Sequence, residues 1–116
     1  MSLRTDRLGV LMQREIAALL RNGLNNPNVG LASITRVDVS TDLSYATVRV
    51  SVIGSKQEQM KSLNALQKSA GFIRTHLSKI IKIRKIPELR FVIDENQQHA
   101  ARIDEILHGL KEKGEL

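Results

Sequence analysis

Residues 68–85 read KSAGFIRTHLSKIIKIRK and hold six lysines or arginines: Lys68, Arg74, Lys79, Lys82, Arg84 and Lys85. Cations clustered along one segment can neutralise successive phosphates of a polyanion and release its counterions. Gly71 lies among them, and a glycine inside a helix costs about 1 kcal/mol relative to alanine. A missing side chain also lets another backbone come close. The chemistry on offer is phosphate binding beside a point of close approach. Two plainer readings stand next to it: the lysines solvate an exposed face, and Gly71 merely joins two helices.

Groupings that could catalyse are scarce. His76, His99 and His108 are scattered, with no ligand pair at helical spacing. His76, among basic residues, reads as a surface or phosphate-facing side chain. Asp94-Glu95 and Asp104-Glu105 are sequence neighbours, which point apart on a helix. Neither a glycine-rich nucleotide loop nor a Ser/His/Asp arrangement occurs. Without cysteine there are no disulfides and no thiolate metal ligands. No catalytic residue, metal or cofactor is expected.

The 116 residues suit a single domain spanning 1–116. Hydrophobic residues make up 41% and aromatics 3%, so the core must be built from Leu, Ile, Val and Ala. The net charge of +6 is unevenly spread. Residues 1–93 hold 15 Lys/Arg against 6 Asp/Glu, whereas residues 94–116 hold 3 against 6. A basic body with an acidic tail points to a polyanionic partner. The opening SLRTDRLGV has no apolar run long enough for a signal peptide or membrane span. A soluble, cytoplasmic monomer with no membrane association is expected.

Several elements must position these groups. Thr5 and Asp6 suit the cap of a helix running to about Leu24, buried through Leu8, Leu11, Met12, Ile16, Leu19 and Leu20. Arg7, Arg14 and Arg21 repeat every seven residues and form a second basic face. Turn chemistry follows from Asn22-Gly23 to Asn26-Pro27. Thr35, Val37 and Val39 then alternate with Ile34, Arg36 and Asp38 in a strand whose start is ambiguous. The next strand is cleaner, with Ala46, Val48, Val50 and Val52 on one face. Residues 40–44 suit a hairpin connection, which makes this pair antiparallel.

Ser55 is placed to cap a helix with an apolar stripe of Met60, Leu63 and Leu66, ending near Lys68. Beyond Gly71 a helical pattern restarts with Phe72, Ile73, Leu77, Ile80 and Ile81 on one side. Gly71, Arg74, Ser78, Lys79, Lys82 and Lys85 project to the other. Pro87 ends the helix, Leu89, Phe91 and Ile93 alternate as a third strand, and a final helix spans about 97–112. The expected order is α-β-β-α-α-β-α, an α+β fold.

Particular stretches resemble the bacterial ribosome-binding factor A family: ITRVDVSTDLSYATV at 34–48, SAGFIR at 69–74 and IRKIPELRF at 83–91. The Asn26-Pro27 turn and Arg102-Ile103 add to the likeness, which runs from about Arg4 to Leu110. The resemblance implies a KH-like fold of the second type, with a three-stranded sheet packed on helices. KH domains clamp a nucleic-acid backbone with a GXXG loop between two helices. The family has instead an Ala-x-Gly kink there, which corresponds to Ser69-Ala70-Gly71, with serine in the alanine place. Gly71 would permit the interhelical kink, and Ser69 would offer a hydroxyl or face solvent.

The resemblance further implies a non-enzymatic factor that binds 16S rRNA in the free small (30S) subunit. It would support late rRNA maturation, including the 5′ end, and matter most in the cold. The RNA contacts would then come from Lys68, Ser69, Ala70, Gly71, Arg74, Lys79, Lys82, Arg84 and Lys85. A general KH-like binder of single strands without ribosome specificity remains the alternative. With Tyr45, Phe72 and Phe91 as the aromatics, a broad stacking platform is disfavoured. A protein-interaction module, or a nuclease acting on precursor rRNA, forms a third class. The missing carboxylate or histidine constellation argues against the nuclease.

Overall fold

The computed structural model describes residues 3–22 and 32–94. The Asn26-Pro27 turn, the expected helix end at Leu24, the helix at 97–112, His99, His108, Glu95, Arg102-Ile103 and Asp104-Glu105 lie outside them. The described elements are α1 (Leu3–Asn22), β1 (Ala32–Val39), β2 (Tyr45–Val52), α2 (Lys56–Lys68), α3 (Ala70–Ile80) and β3 (Glu88–Ile93). Their order is the expected one.

The sheet runs β1-β2-β3, with β1 antiparallel to β2 and β3 parallel to it. A parallel neighbour needs a crossover rather than a tight turn, and α2 and α3 supply it. Ala46, Val48 and Val50 of the central strand are fully buried. They meet Met12 and Ile16 of α1, Leu66 of α2, and Ile73 and Leu77 of α3 in one core. The predicted near-absence of aromatics from the core holds, with Phe91 as the exception.

The ambiguous start of β1 has a simple cause. Ile34 pairs with Val50 but Arg36 pairs with Arg49, so Thr35 is an extra residue in a β-bulge. The bulge resets the alternation and returns Ile34, Val37 and Val39 to the core side. Residues 40–44 close the hairpin, with Leu43 at φ 63 and the Ser40 hydroxyl donating to Asp42 Oδ1 at 2.8 Å.

Helix α1 is already formed at Leu3. Thr5 and Asp6 are therefore inside its first turns rather than ahead of them at the cap position, a correction to the sequence reading. Thr5 is buried, and Asp6 sits where a negative charge complements the helix dipole. The Ser55 cap is as expected. Its hydroxyl accepts from the Glu58 N–H at 3.1 Å, and the Glu58 carboxylate reaches back to complete a capping box.

On the face of the sheet away from the core, Asp38 accepts from Arg36 Nε at 2.6 Å and Arg49 Nε at 2.9 Å. Arg36 and Arg49 are direct cross-strand partners, so the carboxylate offsets a like-charge pair. Partial burial pushes the Asp38 carboxyl up. Hydrogen bonds from Arg49 and Arg36, with their charges, outweigh that and hold it below the ordinary carboxylate range. Arg90 lies over the Tyr45 ring, 3.7 Å from its centroid.

Candidate nucleic-acid interface

The junction between α2 and α3 is one residue, Ser69. Its N–H donates to the carbonyls of Ala65 and Leu66, at 3.1 and 3.0 Å, and its carbonyl accepts from Ile73 N–H at 3.0 Å. The hydroxyl donates back to the Ala65 carbonyl at 3.0 Å, so it neither faces solvent freely nor caps α3. The break thus falls within the expected triplet, but at its first residue. Gly71 is the second residue of α3, and nothing lies within 4 Å of where its Cβ would be. A kink that alanine cannot adopt is not present at Gly71, which corrects the sequence reading. What the glycine leaves is open space.

Helix α3 ends at Ile80, earlier than the continuous pattern through Lys85 suggests. Ile73 and Leu77 fill its buried side, and Ile81 is buried as its C-cap. Phe72 and Ile80, expected on the apolar side, are instead 57% and 43% exposed. At about 100° per residue Phe72 lies a quarter-turn outside the buried arc, whereas Ile80 projects about 20° from Ile73 but is the last residue of the helix. Met60 of α2 is corrected in the same way: Ser62, Ala65 and Leu66 form the buried side.

Lys82, Arg84 and Lys85 are exposed in the irregular segment after α3, where Ile81, Ile86 and Pro87 turn inward. The in-and-out alternation there, rather than a helix face, sets the cations outward. Lys68 is exposed at the end of α2, and Lys79 in the last turn of α3. Ala70 is half-buried and packs against the core. His76 is half-buried beside Leu77.

Arg74 departs from the expected basic face. Its Nη2 donates to the Ile86 carbonyl at 2.8 Å, and its Nε is buried without a hydrogen-bond partner. The guanidinium ties α3 to the cationic segment that follows. Arg74 is therefore a positioning residue for Arg84 and Lys85 rather than a free cation.

Two residues were not singled out from the sequence. Lys61 is exposed seven residues before Lys68, which puts both on one face of α2; that spacing was a usable signal. Gln67 had none. Its amide donates to the Leu89 carbonyl at 3.1 Å and accepts from Phe91 N–H at 3.0 Å, pairing the outer edge of β3. That bidentate contact fixes the helix carrying Lys68 against the sheet.

Arg7, Arg14 and Arg21 are all exposed on α1. Arg7 and Arg14, with Asp6, Val10 and Leu11, line a hollow of about 300 Å³, while Arg21 is not part of it. Among the described residues no group of His, Cys, Asp or Glu could hold a metal ion. No helix among them is long and apolar enough to cross a membrane.

The family model of ribosome-binding factor A matches residues 4–107. The ribosome-binding factor A of Desulforamulus reducens is 43% identical over 108 residues, covering 93% of this chain and 90% of that protein. The crystal structure of ribosome-binding factor A from Thermus thermophilus superposes with a TM-score of 0.69 at 22% identity, over 77% of this chain and 93% of that one. Thermus thermophilus coordinates fitted into a cryo-EM map of a 30S complex superpose with a TM-score of 0.60 at 23% identity, over 72% of this chain and 88% of that one.

Proposed function

The chain belongs to the ribosome-binding factor A family, and from that premise we propose that it is a non-enzymatic assembly factor of the small ribosomal subunit. It binds 16S rRNA in the immature 30S particle and supports late maturation, including 5′-end processing. The work is done by a single KH-like RNA-binding domain spanning 1–116, acting as a cytoplasmic monomer and needed most in the cold.

The observation that carries this reading is the set of exposed cations on either side of the Ser69 junction. Lys68 precedes it, Lys79 ends the helix that follows, and Lys82, Arg84 and Lys85 continue beyond. Ser69 and Ala70 hold the junction, Gly71 leaves room beside it, and Arg74 holds the distal cations in place. Arg7, Arg14 and Arg21 offer a second basic face. Further support comes from the Thermus thermophilus coordinates of the same fold, which were fitted into a 30S complex.

A non-enzymatic factor of this kind assists maturation by binding one rRNA conformation better than its competitors, since a ligand shifts an equilibrium only through differential affinity. Low temperature deepens RNA traps, so the demand for such a factor rises there. Sucrose-gradient sedimentation of a cell lysate tests the reading. The protein should travel with free small subunits, and its loss should raise precursor 16S rRNA, most at low temperature. Exclusive migration with complete ribosomes, or with no ribosomal particle, would overturn it.

A further inference from the structure

We propose that Phe72 stacks on an unpaired RNA base at the α2–α3 junction, making the junction a reader of single-stranded nucleotides as well as a phosphate clamp. The proposal rests on the RNA-binding reading above. Of the chain's three aromatic residues, Phe91 is buried and Tyr45 has Arg90 over its ring at 3.7 Å. Phe72 is 57% exposed on a helix whose buried side is already filled by Ile73 and Leu77.

Its surroundings favour a nucleotide over an apolar protein surface. Gly71 precedes it, with nothing within 4 Å of the missing Cβ, so the approach to the ring from that side is open. Lys79 lies seven residues on, almost in line with Phe72 along the helix. Lys68 is exposed just across the Ser69 break. An aromatic face beside flanking cations matches the two parts of a nucleotide, since every base offers a π-face and every linkage a phosphate.

The test uses the full chain with Phe72→Leu and Phe72→Trp. Targets are purified small subunits, a short single-stranded RNA, and the same strand with abasic sugars. Because the chain has no tryptophan, the Phe72→Trp emission reports on this position alone. Phe72→Leu should weaken binding to subunits and to the base-bearing strand by roughly 5- to 150-fold. It should leave the abasic strand and the urea midpoint unaffected. Phe72→Trp should keep its affinity and be quenched by the base-bearing strand. Unchanged subunit affinity for Phe72→Leu overturns the proposal. So does a loss confined to subunits with strand binding and emission unaltered, which would mark a protein contact. Subunit binding with no affinity for the strand, or equal loss on both strands, also contradicts it. Failure of the unmodified chain to bind subunits or RNA removes the RNA-binding reading itself, and this proposal with it.

Discussion

A β-carbon on Gly9 would lie 2.5 Å from the carbonyl oxygen of Val37. The helix α1 therefore lies against the backbone of β1, and only glycine allows it to lie that close. The obstacle is a main-chain atom of a paired strand, which cannot swing aside as a side chain would. Gly9→Ala should cost about 1–3 kcal/mol through overpacking, even though alanine is the better helix former. Urea unfolding checks this, and a variant as stable as the parent would contradict the close approach.

Gly71 should behave in the opposite way. It is an exposed helix residue with open surroundings. Gly71→Ala should therefore stabilise the fold by about 0.4–1 kcal/mol, mainly by restricting the unfolded chain. If RNA passes over the junction, the added methyl should weaken small-subunit binding in the same preparation. A loss of stability in urea would show that the site is more constrained than its surroundings indicate.

Gln67 should prove structural despite its place on a polar helix. Removing its amide in Gln67→Ala leaves the Leu89 carbonyl and the Phe91 N–H without their partner. The loss should be about 1–3 kcal/mol, and the Phe91 amide should lose protection from hydrogen exchange. Unchanged exchange at Phe91 would contradict the role.

Asp38 should give the fold an acid-sensitive contribution. Its folded pKa is lowered by its arginine partners, so the stability it supplies is present above the unfolded value of about 3.9. That contribution is lost as pH falls through the lower folded value. Asp38→Asn should be less stable at neutral pH by about 1 kcal/mol at most. The gap to the parent should close on acidification below about pH 4. A gap that does not vary with pH would mean the carboxylate charge is not what bridges Arg36 and Arg49.

Where one periodic face decides an element, the sequence was legible. The alternation of Ala46, Val48, Val50 and Val52 fixed the central strand, and all four are buried. The spacing of Leu8, Met12, Ile16 and Leu19 likewise fixed the inner face of α1. Legibility failed where a tertiary partner decides. Phe72 has the residue type of a core position, yet Ile73 and Leu77 already fill the space its helix can bury. Arg74 reads as one more surface cation until the Ile86 carbonyl is brought beside it. Gly9 was overlooked because its neighbour, Val37, is far away in sequence. Gln67 looks like any exposed helix residue until the edge of β3 is known. The cationic stretch itself was visible, but the helix end at Ile80 was not. Apolar residues at 81, 83 and 86 continue to be buried or half-buried in irregular chain.

The central claim is that the exposed cations on either side of the Ser69 junction bind rRNA phosphates. The affinity of a Lys79→Glu, Lys82→Glu variant for free small subunits tests it most directly, measured across a salt series beside the parent. Both lysines are exposed, so the fold should change by less than about 0.5 kcal/mol. The parent should show a log–log salt slope of about −3 to −4.5 from roughly four or five phosphate contacts, and the variant should bind more weakly with a shallower slope. A folded variant with unaltered affinity and slope would contradict the claim and leave these lysines as a solvated surface.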